Sequence, residues 1–291
     1  MKLIDGKQVA QSIKDELKKQ VAEMIDNDID PHLAAILIGD DGASQTYVTA
    51  KQKACEEVGI ISTLYKFDSD ISEEQLLNTI KFLNNDPEVH GMIVQLPLPD
   101  HISVEKVMSA ISPQKDVDGF HAENVGRMAL GLPAYLPATP NGVIELLKYY
   151  EVETEGKHCV VMGRSHIVGL PVSIMMGQKK YPGNATVTLC HSKTPDLKAV
   201  ASGADILIVA IGQPEFVKAD MVKEGAVVID VGIHRIPDDS KKSGFRLVGD
   251  VAFDEVSRKC SMISPVPGGV GPMTIVSLLM NTVKAAKGEV F

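Results

Sequence analysis

The chain has 291 residues, 44 % of them hydrophobic, enough for a substantial core and longer than one compact domain ordinarily runs. Its 38 acidic and 29 basic side chains leave a formal charge of -9, a poor match for a phosphate backbone or an anionic membrane surface, so neither nucleic acid nor a membrane is an expected partner. The opening MKLIDGKQVA lacks the apolar core of a signal peptide and no stretch approaches the roughly 18 apolar residues of a membrane span, which makes a cytoplasmic protein the expectation.

In chain order, a helical pattern runs from Lys7 to Met24. The short run LAAILIG (Leu33 to Gly39) then reads as a buried parallel strand, being branched, apolar and bounded by turn formers. Helical patterns follow over Ala43 to Val58 and over Ser72 to Leu83, the latter introduced by Ser72 and Glu74. HGMIVQLPL (His90 to Leu98) reads as a second strand. The segment GLPAYLPATPNG (Gly131 to Gly142), rich in Pro and Gly, marks a domain boundary before a helix starting near Val143. Beyond it KHCVVMG, ATVTLCH, ADILIVAIG and AVVIDVGI alternate with helical or mixed segments, the pattern of a doubly wound parallel sheet. A last helix spans roughly Met273 to Lys287. The expected fold class is α/β in two domains. Residues 1–138 would form an N-terminal α/β catalytic domain completed by the C-terminal helix of 273–291, and residues 139–272 a Rossmann-like sheet.

The strand KHCVVMG runs straight into Arg164-Ser165-His166-Ile167-Val168-Gly169-Leu170-Pro171. Glycines at such a strand-to-helix turn let backbone amides approach a pyrophosphate, so Gly163 and Gly169 are the key positions, although their spacing departs from GxGxxG and a purely structural turn stays open. The end of the next strand reads Cys190-His191-Ser192-Lys193, with no Asp or Glu to grip ribose hydroxyls. Ser192, Lys193 and Arg164 suit a 2′-phosphate, favouring NADP over NAD; the alternative is that Lys193 and Arg164 are solvated surface charges. The four cysteines, Cys55, Cys159, Cys190 and Cys260, form no CxxC pair and read as small core residues, and no His/Cys pattern has metal spacing, so no metal is expected.

Tyr47 and Lys51, four residues apart on a predicted helix, share a face and can serve one site, or can be a lysine stem lying on a ring. Gln95 falls within an apolar strand run, where an amide without partners costs about 1–3 kcal/mol, so a ligand or a local network is expected around it. PQKDVDG (Pro113 to Gly119) places Asp116 and Asp118 ahead of a glycine, either an Asx-type turn or a carboxylate set to grip an amino-substituted heterocycle. PVPGGVGPMT (Pro265 to Thr274) is a stiff, close-approach loop entering a helix, suited to a flat ligand or to a linker.

The stretches YVTAK, VQLPLP, KDVDGF, TPNG, GRSxIVGxP, DVGI and PVPGGVGPMT occur together and in order. On them the sequence resembles the bifunctional methylenetetrahydrofolate dehydrogenase/methenyltetrahydrofolate cyclohydrolase family from about Leu3 to Lys284, with MMGQKKYPGNATVT and SKKSGFRL longer than in many relatives. The resemblance implies NADP-dependent oxidation of 5,10-methylenetetrahydrofolate and hydrolysis of the product to 10-formyltetrahydrofolate, in a homodimer. It puts the catalytic lysine on Lys51, with Tyr47, Gln95 and the pterin-gripping Asp118 beside it. Leu96 and Pro97, and Pro265, Pro267, Gly268, Gly269, Val270 and Pro272, complete the folate side, while Gly163, Arg164, Ser165, Gly169, Ser192 and Ile233 take the cofactor. A dehydrogenase with weak or no cyclohydrolase activity and a non-catalytic dinucleotide sensor are the competing readings.

Overall fold

The helix expected from Lys7 forms as α1 (Gly6–Ile25), after a two-residue strand β1 (Lys2–Leu3) too short to show a pattern of its own. In the computed structural model, which describes residues 1–241 and 244–291, LAAILIG follows as β2 (His32–Ile38). Next come α2 (Gly42–Val58), β3 (Ile61–Phe67), α3 (Glu73–Asn85) and β4 (Gly91–Val94). The three strands make a parallel sheet in the order β3-β2-β4, and its centre explains the unbroken apolar run. Leu33, Ala35 and Leu37 pack in a core with α1, α2 and the last helix, whereas Ala34, Ile36 and Ile38 pack on the other face with Leu76, Ile80 and Leu83 of α3. With no solvent face, β2 has no polar alternation.

Ser72 caps α3 as predicted and Glu74 stands in its first turn, while Gln75 returns the bond to Ser72 in a capping box. The strand expected to run to Leu98 ends at Val94. Gln95 still donates its amide to Ile36 O at 2.9 Å, and the ladder then stops at Pro97, which has no N–H to give. Two short helices, α4 (Val104–Ala110) and α5 (Ala122–Ala129), complete this part before α6 (Ala138–Tyr149).

The second series forms β5 (His158–Met162), α7 (Gly169–Gly177), β6 (Thr186–Cys190), α8 (Leu197–Ser202), β7 (Ile206–Val209) and β8 (Val227–Asp230). After them come the antiparallel pair β9 (His234–Pro237) and β10 (Phe245–Val248), then α9 (Phe253–Val256), β11 (Met262–Ile263) and α10 (Val270–Ala286). Within SKKSGFRL, Lys242 and Ser243 lie outside the described residues, and the end of that stretch is β10. The large sheet is parallel throughout in the order β1-β11-β8-β7-β5-β6. The chain places β6 on one side of β5 and then β7 on the other, so the order reverses at β5, the point where doubly wound sheets open a crevice for ligand.

By compactness the described chain forms two units, Met1–Ala10 with Thr139–Thr274 and Gln11–Ala138 with Ile275–Phe291. The first ten residues go with the large sheet because Lys2 and Leu3 pair with Met262 and Ile263. No helix among the described residues is long and apolar enough to cross a membrane.

Burial separates the two apolar residues of α3 that sequence alone treats alike. Leu76 is fully buried and Phe82 is 62 % exposed. Leu76→Ala is expected to lower unfolding free energy by about 2–5 kcal/mol in urea titration, and Phe82→Ala by no more than about 0.5 kcal/mol.

Candidate functional site

Asp41 starts α2 by accepting the Ser44 amide at 2.7 Å, and this sets the phase of the helix. Tyr47 and Lys51 then lie one turn apart, but they are not equivalent. Tyr47 keeps 40 % of its surface exposed, whereas Lys51 keeps 8 %. The buried ammonium donates to Gln95 Oε1 at 3.2 Å, and Gln95 Nε2 donates to Leu96 O at 2.7 Å, so both ends of the amide are engaged just past β4. Gln95 is half-buried beyond the strand end, not within the strand as the apolar run suggested. The recorded partner of Lys51 is thus a neutral amide rather than a carboxylate. Cys55, a turn further along, is no second nucleophile: burial pushes its thiol up to about 12.

The PQKDVDG loop runs beside β4. Met92 donates its amide to Lys115 O at 2.8 Å, and Met92 and Asp116 form a parallel bridge that fixes the loop to the strand. The two aspartates have different surroundings. Asp116, 2 % exposed, is the turn former: it accepts the amides of Phe120 at 3.2 Å and His121 at 2.8 Å, and Asn124 Nδ2 at 2.9 Å. Burial, helped by the charge of Asp118, pushes its carboxyl up to about 6 against the pull of those donors. Asp118 is half-buried, and its carboxylate has no partner among the described residues. Asn281 of α10 secures the loop from behind, donating to Val117 O and to Leu136 O, each at 2.8 Å. Gly119 has φ +75, and a Cβ there would lie 2.6 Å from the Leu136 backbone, so the turn closes only on glycine. Leu96 is half-buried and Pro97 exposed at the same strand end.

In the other unit, Gly163 follows β5 with φ +113, and an added Cβ would sit 2.0 Å from Ala210 O, at the end of β7. A Cβ on Gly169 would sit 1.9 Å from Gly163 O. Both glycines are required because three chain segments meet where the strand order reverses. Ser165 Oγ accepts the amides of Val168 at 3.2 Å and Gly169 at 3.4 Å, shaping the entry to α7. Met162 pairs with Cys190, so the loops after β5 and β6 leave side by side and expose Arg164, Ser165, Ser192 and Lys193. Ile233, 47 % exposed, follows the end of β8. The Pro265 to Pro272 loop belongs to this same unit. Lys7 donates its amide to Gly268 O at 3.2 Å, and a Cβ on Gly269 would lie 2.6 Å from Pro265 O. Pro265 and Pro272 are half-buried, Pro267 is exposed, and Gly268, Gly269 and Val270 are buried as the chain enters α10.

Buried polar residues that escaped the sequence reading include Asn124, Asn281, Asp230 and Asp250. The signal was present in two of them, since Asn281 interrupts the apolar SLLMNTV and Asp230 ends the apolar VVID. Asp230 accepts the amides of Gly232 and Asp250, both at 3.0 Å, and of Val251 at 2.9 Å. Burial, with Asp250 adding to it, pushes its carboxyl up to about 7.

Family models of the tetrahydrofolate dehydrogenase/cyclohydrolase catalytic domain and NAD(P)-binding domain match residues 4–118 and 137–290. The chain belongs to the tetrahydrofolate dehydrogenase/cyclohydrolase family. It is a bifunctional folate enzyme with an NAD(P)-binding C-terminal domain. The bifunctional protein FolD of Bacteroides thetaiotaomicron is 61 % identical over 292 residues, covering 100 % of both chains, and that of Cytophaga hutchinsonii is 63 % identical, covering 98 % and 99 %. Among solved structures, the bifunctional FolD of Campylobacter jejuni superposes with a TM-score of 0.93 at 51 % identity over 99 % of both chains. The Trypanosoma brucei dehydrogenase-cyclohydrolase, solved with NADP cofactor and inhibitor, gives 0.93 at 39 % identity over 99 % and 98 %.

The buried carboxyls of this family member carry a pH signature. Asp116 and Asp230 bind protons more tightly folded than unfolded, so their favourable contribution is complete below about pH 4 and is lost as pH rises through about 6 and about 7. Carbon NMR of the carboxyl groups is expected to show these two titrating last among the aspartates; midpoints near 4 for both would contradict the burial argument.

Proposed function

We propose that the chain oxidises 5,10-methylenetetrahydrofolate with NADP and hydrolyses the 5,10-methenyl product to 10-formyltetrahydrofolate, with Lys51 as the proton carrier of the second step. The observation that carries this reading is the buried Lys51 ammonium whose recorded partner is the amide oxygen of Gln95 at 3.2 Å. A carboxylate partner would hold the lysine as a fixed ion pair; an amide orients it and leaves it able to exchange a proton with water at the substrate.

Two cradles support the assignment of the ligands. The glycine turn at Gly163 and Gly169 brings the end of β5 close against the start of α7, and the amides at such a helix start suit a pyrophosphate. Arg164, Ser192 and Lys193, exposed on neighbouring strand ends with no acid at the end of β6, suit a 2′-phosphate, which favours NADP over NAD. NADP, when bound, accepts the hydride from the methylene carbon; the protein needs no acid or base for that transfer, only orientation. Ser165 shapes the phosphate turn, and Ile233 offers an apolar contact beyond β8.

On the folate side, Asp118 grips the pterin amidine edge through paired hydrogen bonds, its carboxylate being unpartnered within a loop fixed by Asp116 and Asn281. Tyr47, with 40 % of its surface exposed, stacks on or positions the ring, and Leu96 and Pro97 supply flat apolar contacts. In the hydrolysis, water adds to the methenyl carbon and gives up a proton through Lys51. The bond from that carbon to N5 then breaks as N5 takes a proton and the added hydroxyl gives up its remaining one, leaving the formyl group on N10. We assign the enzyme to the cytoplasm as a homodimer on the family likeness, and light scattering after size exclusion reads the second point directly.

Lys51→Met is expected to lower cyclohydrolase activity by about 10²-fold or more while calorimetric NADP binding stays at the wild-type value. Full hydrolysis by this variant would remove Lys51 from the mechanism. Arg164→Ala is expected to weaken NADP by about tenfold with little change for NAD, and an equal loss for both cofactors would refute the 2′-phosphate assignment.

A further inference from the structure

Asp250 belongs to none of the residue sets assigned above, yet it is fully buried and its carboxylate receives four hydrogen bonds. Oδ2 accepts the amides of Ile211 at 2.7 Å and Gly212 at 3.1 Å, and Oδ1 accepts the amide of Gln213 at 2.9 Å and ring Nε2 of His234 at 2.7 Å. The space around it is closed: a Cβ on Gly232 would lie 2.5 Å from Asp250 Oδ1, and one on Gly249 would lie 1.8 Å from Asp230 Oδ2. Asp250 in turn donates its amide to Asp230, whose own amide donates to Ser264 Oγ at 2.8 Å. The segments leaving β7, β8 and β11 are therefore tied to one pair of buried carboxylates.

The turn that Asp250 holds is at the surface, since Gly212, Gln213 and Pro214 are exposed. Water would satisfy the amides of an exposed turn without cost, whereas burying a carboxylate is unfavourable unless it is fully hydrogen-bonded. What the buried carboxylate secures is the shape of the turn. That turn begins one residue after Ala210, the neighbour that forces glycine at position 163. The bond from Asp250 to His234 similarly fixes the residue directly after the exposed Ile233. In a doubly wound sheet the pyrophosphate sits at the first glycine turn and the adenosine half extends over the next strand, here β6. The opposite half of the dinucleotide then extends over β7 and β8, the strands whose loops Asp250 joins.

We propose that Asp250 is a positioning residue of the dinucleotide site, holding the Ile211–Gln213 turn and the Ile233–His234 loop as one wall against the nicotinamide half of the cofactor. The proposal rests on the reading that NADP binds at the Gly163 turn.

The test titrates NADP and the adenosine fragment 2′,5′-ADP, which lacks the nicotinamide half, into the wild-type enzyme and into Gly163→Ala, Asp250→Asn and His234→Gln. Asp250→Asn is expected to raise the Kd of NADP by about tenfold, to leave the fragment within about twofold, and to raise KM for NADP without moving KM for the folate. His234→Gln shows the same split with a smaller change. A purely structural role predicts that NADP and fragment weaken in parallel, and that result, or an unchanged NADP affinity, overturns the proposal. If Asp250→Asn does not fold, His234→Gln decides: the split supports the proposal and its absence overturns it. Failure of the underlying reading looks different, since Gly163→Ala would then bind both probes like the wild type.

Discussion

Backbone amides and carbonyls that leave a sheet must find partners, and in this chain buried acids and amides supply them at the strand ends. Asp116 takes the amides of Phe120 and His121, Asp230 those of Gly232, Asp250 and Val251, and Asp250 those of Ile211, Gly212 and Gln213. Asn281 does the converse, giving two hydrogens to the carbonyls of Val117 and Leu136. Without these partners the loops after β4, β7 and β8 would be free segments, and the side chains they carry would have no fixed positions. The arrangement costs desolvation of several charges, which is visible in Asp116 and Asp230 being pushed up to about 6 and about 7. Preorganisation of this kind is what a reaction between two bound ligands requires, because orientation rather than acid or base strength governs hydride transfer.

Against that background Lys51 stands out by its neutral partner. The same chain that places carboxylates under backbone amides gives the most buried of its described lysines an amide oxygen. The acids that hold the scaffold and the groups proposed for chemistry are thus different residues even where they are two positions apart, as Asp116 and Asp118 are. A carboxylate saturated by amides supports a loop; one without partners, such as Asp118 among the described residues, is free to meet a ligand.

Much of the architecture was legible because the two larger sheets are parallel and covered. LAAILIG and KHCVVMG are apolar on both faces and announce themselves, and the glycine positions at 163 and 169 follow from the strand-to-helix turn. β3 did not, since ISTLYKF at the sheet edge is only half-buried and mixes polar with apolar residues. β1 and β11, at two residues each, are too short for any periodicity. Gln95 was singled out for a correct reason, the cost of an unpartnered amide, but placed within a strand that Pro97 ends early. Which aspartate of KDVDG supports the loop could not be read from spacing, because the answer depends on Asn124 and on the bridge to Met92. Asp250 shows the limit most clearly: its partners lie 16 to 39 residues away, beyond the reach of any local pattern.

The central claim is that one chain carries both folate reactions and uses NADP for the first. The most direct measurement supplies 5,10-methylenetetrahydrofolate with NADP or with NAD and follows reduced nicotinamide and methenyl absorbance separately. The account predicts that reduced nicotinamide accumulates faster with NADP, while the methenyl signal stays low because the intermediate is hydrolysed. Methenyl product accumulating in step with the reduced cofactor would contradict the second activity, and the absence of both signals would contradict the whole reading.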